Sequence, residues 1–185
     1  MTTEEIVIAV VRIVGSLLVL RWALVGGIVA VVVDLSDLFL RSFLDLGGVG
    51  NYQAFDKWLD QVYMLAFLAV AVREWRGAPR TVAIALYAYR FVGFVAYELT
   101  GTREILLFFP NVFEFWFLFA ASLPHWRPTF EFTRRNTATA LAALAAAKVA
   151  HEYVLHQAKL LDSFTTIDAL KAIWHVMSWP FRLVT

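Results

Sequence analysis

The sequence contains no cysteine, which excludes disulfides, zinc–thiolate sites, iron–sulfur clusters and cysteine nucleophiles. Charge is also scarce, because Asp, Glu, Lys and Arg make up 17% of the chain, against roughly 25% in soluble domains. The net charge is +1 and no basic stripe is evident, so a nucleic-acid partner is not expected. The first residues, MTTEE, lack the basic region and cleavage site of a signal peptide. We therefore expect the first apolar segment to remain as structure.

Apolar residues are abundant: 61% of the 185 residues are hydrophobic, 16% are aromatic, and the mean hydropathy is +0.67. Several stretches approach the roughly 20 apolar residues that cross a bilayer as a helix. We predict an all-α polytopic membrane protein, a single domain over residues 1–185, in the plasma (inner) membrane of a prokaryote. A C-terminal amphipathic helix is expected over residues 167–181. The about six transmembrane helices predicted from hydropathy cover residues 6–20, 23–43, 53–75, 81–99, 104–123 and 137–156.

Two pairs of aspartates interrupt the apolar sequence at helical spacing. Asp34 and Asp37 are i,i+3 partners, and Asp56 and Asp60 are i,i+4 partners, so each pair lies on one helix face. The connection over residues 44–52 is short and glycine-rich, which favours an antiparallel helical hairpin. We therefore expect the four carboxylates to converge near one membrane face.

Four carboxylates gathered in a low-dielectric site need protonation or a cation to neutralise them. Hard divalent metals take carboxylate oxygens as ligands, so the hypothesis is a Mg²⁺ or Mn²⁺ site. The alternative is a capped, solvated hairpin in which Asp56 simply lies near a helix N-terminus, where negative charge is favoured.

Further ionisable residues fall inside the predicted spans, where a charge costs on the order of 2.5–3.5 kcal/mol at the helix centre. Arg12, Arg90 and Glu114 are among them, so the bundle is predicted to enclose a polar cavity. Arg12 either forms a structural ion pair with a carboxylate or binds phosphate. Asn111 and Glu114 are i,i+3 partners and share a helix face.

Two other patterns favour structural interpretations over functional ones. Lys148, Glu152 and His156 are spaced i, i+4, i+8, and such a polar stripe is more often a helix–helix contact than a site. The Phe-rich segment 106–120 is predicted to be lipid-facing bulk rather than a cofactor-binding element. No phosphate-binding loop and no dinucleotide-binding glycine pattern is evident.

The two aspartate pairs, Arg12 in the first helix and the helix count resemble the CDP-alcohol phosphatidyltransferases. The signature of this family reads D-x-x-D-G-x-x-A-R, then a spacer, then G-x-x-x-D-x-x-x-D, and it bridges the second and third helices. Here Asp34-Leu-Ser-Asp37 and Asp56-Lys-Trp-Leu-Asp60 stand in the corresponding places. The resemblance is specific over residues 8–70 and rests on topology beyond them.

The resemblance implies that Asp34, Asp37 and Asp56 hold a divalent metal, with Asp60 as a further ligand or as the general base on an acceptor hydroxyl. It implies partners of three kinds: a membrane lipid, a nucleotide-linked alcohol donor and a second copy in a homodimer. The basic side chains that it points to for donor or lipid phosphate are Arg12, Arg41, Arg90 and Lys148.

The chain departs from the signature at its small residues. Leu38 and Tyr52 replace the two signature glycines, and the Ala-Arg pair is Arg41-Ser42. In the family those small residues let the nucleotide lie close to the helices. A leucine or a tyrosine would fill that space, so the resemblance supports the metal site better than it supports nucleotide binding. From the two aspartate pairs, the predicted function is a metal-dependent transferase of a phosphate-bearing lipid or alcohol. The alternatives are a non-catalytic membrane scaffold or binding protein on the same fold, and a small transporter.

Overall fold

The computed structural model describes the backbone of residues 2–43, 52–102 and 104–156, and the side chains of residues 2–34, 55–102 and 104–151. Within these residues the chain is helical and contains no strand, which confirms the all-α prediction. A short 3₁₀ helix, Leu18–Leu20, follows the first α-helix. The α-helices are α1 (Thr3–Leu17), α2 (Ala23–Phe43), α3 (Tyr52–Glu74), α4 (Ala78–Thr100), α5 (Ile105–Phe108), α6 (Val112–Trp126) and α7 (Arg134–His156).

The chain divides into two compact units, residues 1–148 and 149–185. The first unit contains α1 to α6 and most of α7. In the second unit, the described residues are those of the end of α7, up to residue 156. The predicted amphipathic helix over residues 167–181 lies outside the described residues, and the single-domain interpretation stays a prediction.

The start of α1 is fixed by a capping box. The Glu5 amide donates to Thr2 Oγ1 at 3.2 Å, and the Thr2 amide donates to Glu5 Oε2 at 3.0 Å. This reciprocal pair satisfies backbone donors that a helix start otherwise leaves without partners. The helix therefore begins at Thr3, ahead of the predicted residue 6.

A close backbone contact joins the 3₁₀ helix that follows α1 to α2. A Cβ added at Gly26 would lie 2.3 Å from the Val19 amide nitrogen and 2.4 Å from the Leu18 carbonyl oxygen. Only a residue without a side chain allows this approach. The contact locks the turn between the two helices and sets their register, so that Arg12 of α1 meets Asp34 of α2.

Among the residues that the structure describes, two helical segments are long and apolar enough to cross a membrane, Ala78–Thr100 and Ile105–Trp126. Their support for membrane association is weak, because the buried core helix of a soluble protein can be equally long and apolar. Contact with lipid suits α4 better than the second segment, since 22% of the apolar stretch of α4 is buried inside the protein, against 56% for Ile105–Trp126. The number of six spans stays a prediction.

Aromatic side chains form the centre of the first unit. Phe113, Trp116 and Phe117 are fully buried, and the ring of Phe117 stacks on Phe67 with centroids 4.1 Å apart. The prediction that the Phe-rich segment faces lipid is therefore wrong for these three rings. They recur at helical spacing on one face of α6, whereas Phe108 of α5 is 75% exposed.

The two prolines of this region act differently from one another. Pro110 separates α5 from α6, because proline lacks the amide donor of a continuous helix. Pro124 follows residue 123, where the predicted span ends, but it lies inside α6, which continues to Trp126. The last turn after Pro124 is closed by the Arg127 amide, which donates to the Leu123 carbonyl at 2.8 Å.

Candidate functional site

Arg12 lies at the centre of three carboxylates. Its Nη1 donates to Asp56 Oδ1 at 2.8 Å, and its Nη2 donates to Asp60 Oδ1 at 2.8 Å and also to Asp34 Oδ1. The side chain of Arg12 is only 3% exposed. One guanidinium therefore joins α1, α2 and α3, and the convergence predicted for these three aspartates is confirmed.

Lys57 is a second cation in the same group, which we call the aspartate–arginine cluster: Arg12, Asp34, Asp56, Lys57 and Asp60. Lys57 Nζ lies 2.6 Å from Asp56 Oδ2 and 3.1 Å from Asp60 Oδ2. Three carboxylates against two cations leave one formal negative charge. Sequence reasoning missed Lys57, although its i,i+3 spacing to Asp60 is the usual signal of an intrahelical ion pair.

Local structure explains how the helices present these side chains. Asp56 and Asp60 lie one turn apart near the start of α3 and direct their Oδ1 atoms at the same guanidinium. On α1, the Ser16 hydroxyl donates to the Arg12 carbonyl at 2.6 Å. Asp34 reaches the guanidinium from α2, so the cluster depends on the packing of three helices.

Asp37 and Arg41, two other predicted site residues, lie on α2. Their side chains fall outside the described residues, so their part in the site stays a prediction. The side chains of Glu152 and His156 at the end of α7 also fall outside the described residues, so the helix–helix contact predicted for their stripe stays a prediction.

The donor set fits the kind of metal that the sequence predicts. One carboxylate oxygen from each of Asp34, Asp56 and Asp60 lies within 4.8 Å of the other two, and hard divalent cations prefer such oxygens. Five of the six carboxylate oxygens already accept from Arg12 or Lys57. A metal ion would therefore compete with these two side chains for the same atoms.

A second buried polar group lies one helical turn further along α3, and we call it the Glu114 cluster: Tyr63, Asn111, Glu114 and Lys148. Glu114 Oε2 accepts from the Tyr63 hydroxyl at 3.2 Å and from Asn111 Nδ2 at 3.2 Å, and it lies 4.0 Å from Lys148 Nζ. Asn111 Nδ2 also donates to the Tyr63 oxygen at 2.7 Å. Asn111 and Glu114, which were predicted to share a helix face, are thus in direct contact.

Arg90 and Lys148, predicted to bind phosphate, make their contacts away from the aspartates. Arg90 Nη1 donates to the Phe109 carbonyl at 2.6 Å, and Lys148 pairs with Glu114. The sequence did not predict the polar contacts of Tyr63, because a tyrosine within an apolar run is usually a core residue. Its i,i+3 spacing from Asp60 is the signal that links the two clusters.

Comparisons with protein-family models, with curated proteins and with solved structures find no match to this chain. The resemblance to the CDP-alcohol phosphatidyltransferases therefore rests on the aspartate spacing and stays a prediction.

Proposed function

We propose that this chain is a membrane-embedded, divalent-cation-dependent transferase that acts on a phosphate-bearing lipid or alcohol, in the manner of the CDP-alcohol phosphatidyltransferases. The observation that carries the proposal is the convergence of Asp34, Asp56 and Asp60 from two helices on one point. The proposal includes the predicted six spans and a location in the plasma membrane of a prokaryote.

The chemistry follows from the residues of the cluster. Asp34, Asp56 and Asp60 would hold Mg²⁺ or Mn²⁺, which would supply charge neutralisation for a diphosphate-bearing donor. Asp60 is the least exposed of the three carboxylates and has the role of general base on an acceptor hydroxyl. Arg12, freed from one carboxylate when a metal binds, would be available to a phosphate oxygen, which its planar guanidinium suits.

A second candidate is a non-catalytic binding protein on the same scaffold. The observation that favours it is the saturation of the cluster, since Arg12 and Lys57 already contact five of its carboxylate oxygens. The replacement of both signature glycines, by Leu38 and Tyr52, points the same way, because these side chains would fill the space of a nucleotide.

The first test is metal binding by the purified chain in detergent, with free Mn²⁺ followed by electron paramagnetic resonance. We expect saturable Mn²⁺ binding by the wild type. Asp60→Asn should weaken the affinity for Mn²⁺ by about tenfold or more, since a carboxylate ligand is lost. Glu98→Gln, which removes an exposed carboxylate on α4, is the matched control and should bind like the wild type. Equal binding by all three proteins would contradict the proposed site.

The second test separates the two candidates. Purified protein with Mg²⁺ or Mn²⁺ is incubated with a panel of radiolabelled CDP-alcohols and with lipid or alcohol acceptors, and the products are resolved by chromatography. Transfer by the wild type that is absent from Asp60→Asn would support the enzyme. Saturable Mn²⁺ binding without transfer to any acceptor would favour the binding protein.

A further inference from the structure

A cavity of about 390 Å³ lies at the far end of α3 from the aspartate–arginine cluster. Trp75, which directly follows α3, forms part of its wall. Asp60 and Trp75 are 15 positions apart, which corresponds to about 22 Å along a helix axis. The cavity is thus a separate site, and its volume falls in the range of roughly 300–1,000 Å³ typical of small-molecule sites.

The cavity lies where the two candidate membrane spans share an end. Pro79 at the start of α4 and Leu123 and Pro124 near the end of α6 line it. A hydrogen bond from Trp116 Nε1 to the Pro79 carbonyl, 3.0 Å long, ties these two ends together. Trp126, the last residue of α6, is largely exposed, and tryptophan is enriched at the boundary between lipid and water.

The lining combines apolar walls with two cations and includes no carboxylate. The apolar walls include the rings of Trp75, Phe130 and Phe132, and the cations are Arg76 and Arg127. Within the described part of the chain, the Arg76 side chain donates only to carbonyl oxygens, those of Arg73 and Trp75 at 3.3 and 3.1 Å, so no carboxylate there neutralises its charge. Among the described residues, the side chain of Arg127 has no ion-pair or hydrogen-bond partner.

These features complement one chemical class, an amphiphile with an anionic phosphate and an apolar tail. Arginine binds phosphate oxygens through paired N–H donors, and basic pockets between membrane helices bind anionic headgroups. A free phosphate would satisfy the two arginines but would leave the aromatic and proline walls in contact with water.

We propose that this cavity binds one anionic phospholipid of the surrounding membrane, with the headgroup phosphate at Arg76 and Arg127 and an acyl chain along the apolar wall. The site is distinct from the aspartate–arginine cluster. It depends on the membrane placement contained in the proposed function, but on neither the metal nor the transfer reaction.

Native mass spectrometry of the full chain released from detergent micelles tests the site, with phosphatidylglycerol and phosphatidylcholine titrated separately. We expect a one-to-one complex with phosphatidylglycerol that is weakened about 25-fold by Arg76→Gln with Arg127→Gln, since each arginine contributes roughly a fivefold factor near an anionic headgroup. The matched control is Arg134→Gln with Arg135→Gln, which removes the same charge from exposed positions of α7 outside the cavity.

The outcomes separate the site from its alternatives. Equal loss of phosphatidylglycerol in both double variants would mean that net charge alone attracts the lipid, and would overturn the proposal. So would equal affinity for phosphatidylcholine, or for glycerol phosphate offered without an acyl chain. Arg76→Lys with Arg127→Lys should retain most of the binding, and its thermal unfolding should match that of the glutamine variant, which excludes misfolding as the cause.

Membrane placement is measured independently by flotation of the protein with vesicles of pure phosphatidylcholine. Failure to float would overturn both this proposal and the proposed function. Flotation together with selective phosphatidylglycerol binding, but without binding of Mn²⁺, would support the lipid site and contradict the transferase alone.

Discussion

Arg12 Nη2 on α1 lies 2.8 Å from Asp60 Oδ1 on α3, although 48 positions separate the two residues. The same guanidinium also contacts Asp34 and Asp56. A single cation thus connects the first three helices, and it sits among the carboxylates that the sequence predicts to bind a metal. For the proposed metal site, this means that stability and metal binding would be coupled through this one side chain.

The first prediction concerns the removal of that cation. Arg12→Met should lower the free energy of unfolding by about 3–5 kcal/mol, because three partly buried carboxylates lose their main counter-charge. Arg12→Lys should lose less, since an ammonium keeps the charge but cannot contact all three carboxylates with planar geometry. The measurement is denaturation of the purified proteins in detergent, followed by circular dichroism.

Arg21→Met is the control for Arg12→Met. Arg21 is exposed and its guanidinium lies 6.0 Å from the centroid of the Trp22 ring, so loss of the side chain should cost less than about 1 kcal/mol. If both variants unfold alike, the ion pairs of Arg12 do not stabilise the bundle.

The second prediction uses the competition between Lys57 and a metal ion. Lys57→Met should tighten Mn²⁺ binding by about tenfold or more, because a unit charge close to a carboxylate is worth on the order of 1–4 kcal/mol. Arg73→Met removes the same charge from the other end of α3 and should leave the affinity unchanged. Weaker binding by Lys57→Met would mean that Lys57 organises the metal ligands instead of competing for them.

The sequence alone predicted the parts of this site that lie on single helices. The bounds of α2 match the prediction over residues 23–43, because a mainly apolar run that ends at a glycine-rich connection defines the helix without help from its neighbours. The spacing of Asp56 and Asp60 likewise fixes a shared face. The contact between Arg12 and the aspartates depends on how separate helices pack, which helical spacing does not show. The sequence therefore left a structural ion pair and a phosphate-binding role for Arg12 as equal alternatives.

The same distinction explains the errors at α6. The pairing of Asn111 with Glu114 follows from helical spacing and was predictable, whereas Tyr63 and Lys148 reach Glu114 from α3 and α7. The burial of Phe117 depends on stacking against Phe67, a contact between distant parts of the chain. Hydrophobicity cannot distinguish a ring that faces lipid from one that faces another helix, since both surroundings are apolar.

The third prediction tests the Glu114 cluster. Glu114→Gln should lower the free energy of unfolding by about 3 kcal/mol or more, because Lys148 loses a buried counter-charge. Adding Lys148→Met to this variant should restore part of the loss, since the buried ammonium is then removed together with its carboxylate. Denaturation of the four proteins of this double-mutant cycle gives the coupling energy.

Glu104→Gln is the control for the Glu114 variant, because Glu104 is exposed and its neutralisation should change stability by less than about 0.5 kcal/mol. A coupling energy near zero between positions 114 and 148 would show that the 4.0 Å separation contributes nothing to stability.

The fourth prediction concerns the glycine that sets the register of α1 against α2. Gly26→Ala places a methyl group 2.3–2.4 Å from the backbone of Leu18 and Val19, and backbone atoms cannot move aside as a side chain can. The two helices must separate, so the free energy of unfolding should fall by about 2 kcal/mol or more. Gly27→Ala is the adjacent control, because its added Cβ would meet side-chain atoms of Leu118 and Phe117 at 3.1 Å, which can shift by a small rotation.

Gly26→Ala should also weaken Mn²⁺ binding, although position 26 lies two helical turns from Asp34. The contact between Gly26 and the turn before it determines how Arg12 and Asp34 meet, and a displaced α1 would pull the guanidinium from Asp60 as well. Titration of Mn²⁺ into the two glycine variants, at a temperature where both remain folded, measures this effect. If Gly26→Ala loses stability but binds Mn²⁺ like Gly27→Ala, then α2 and α3 position the carboxylates without α1, and Arg12 serves the fold alone.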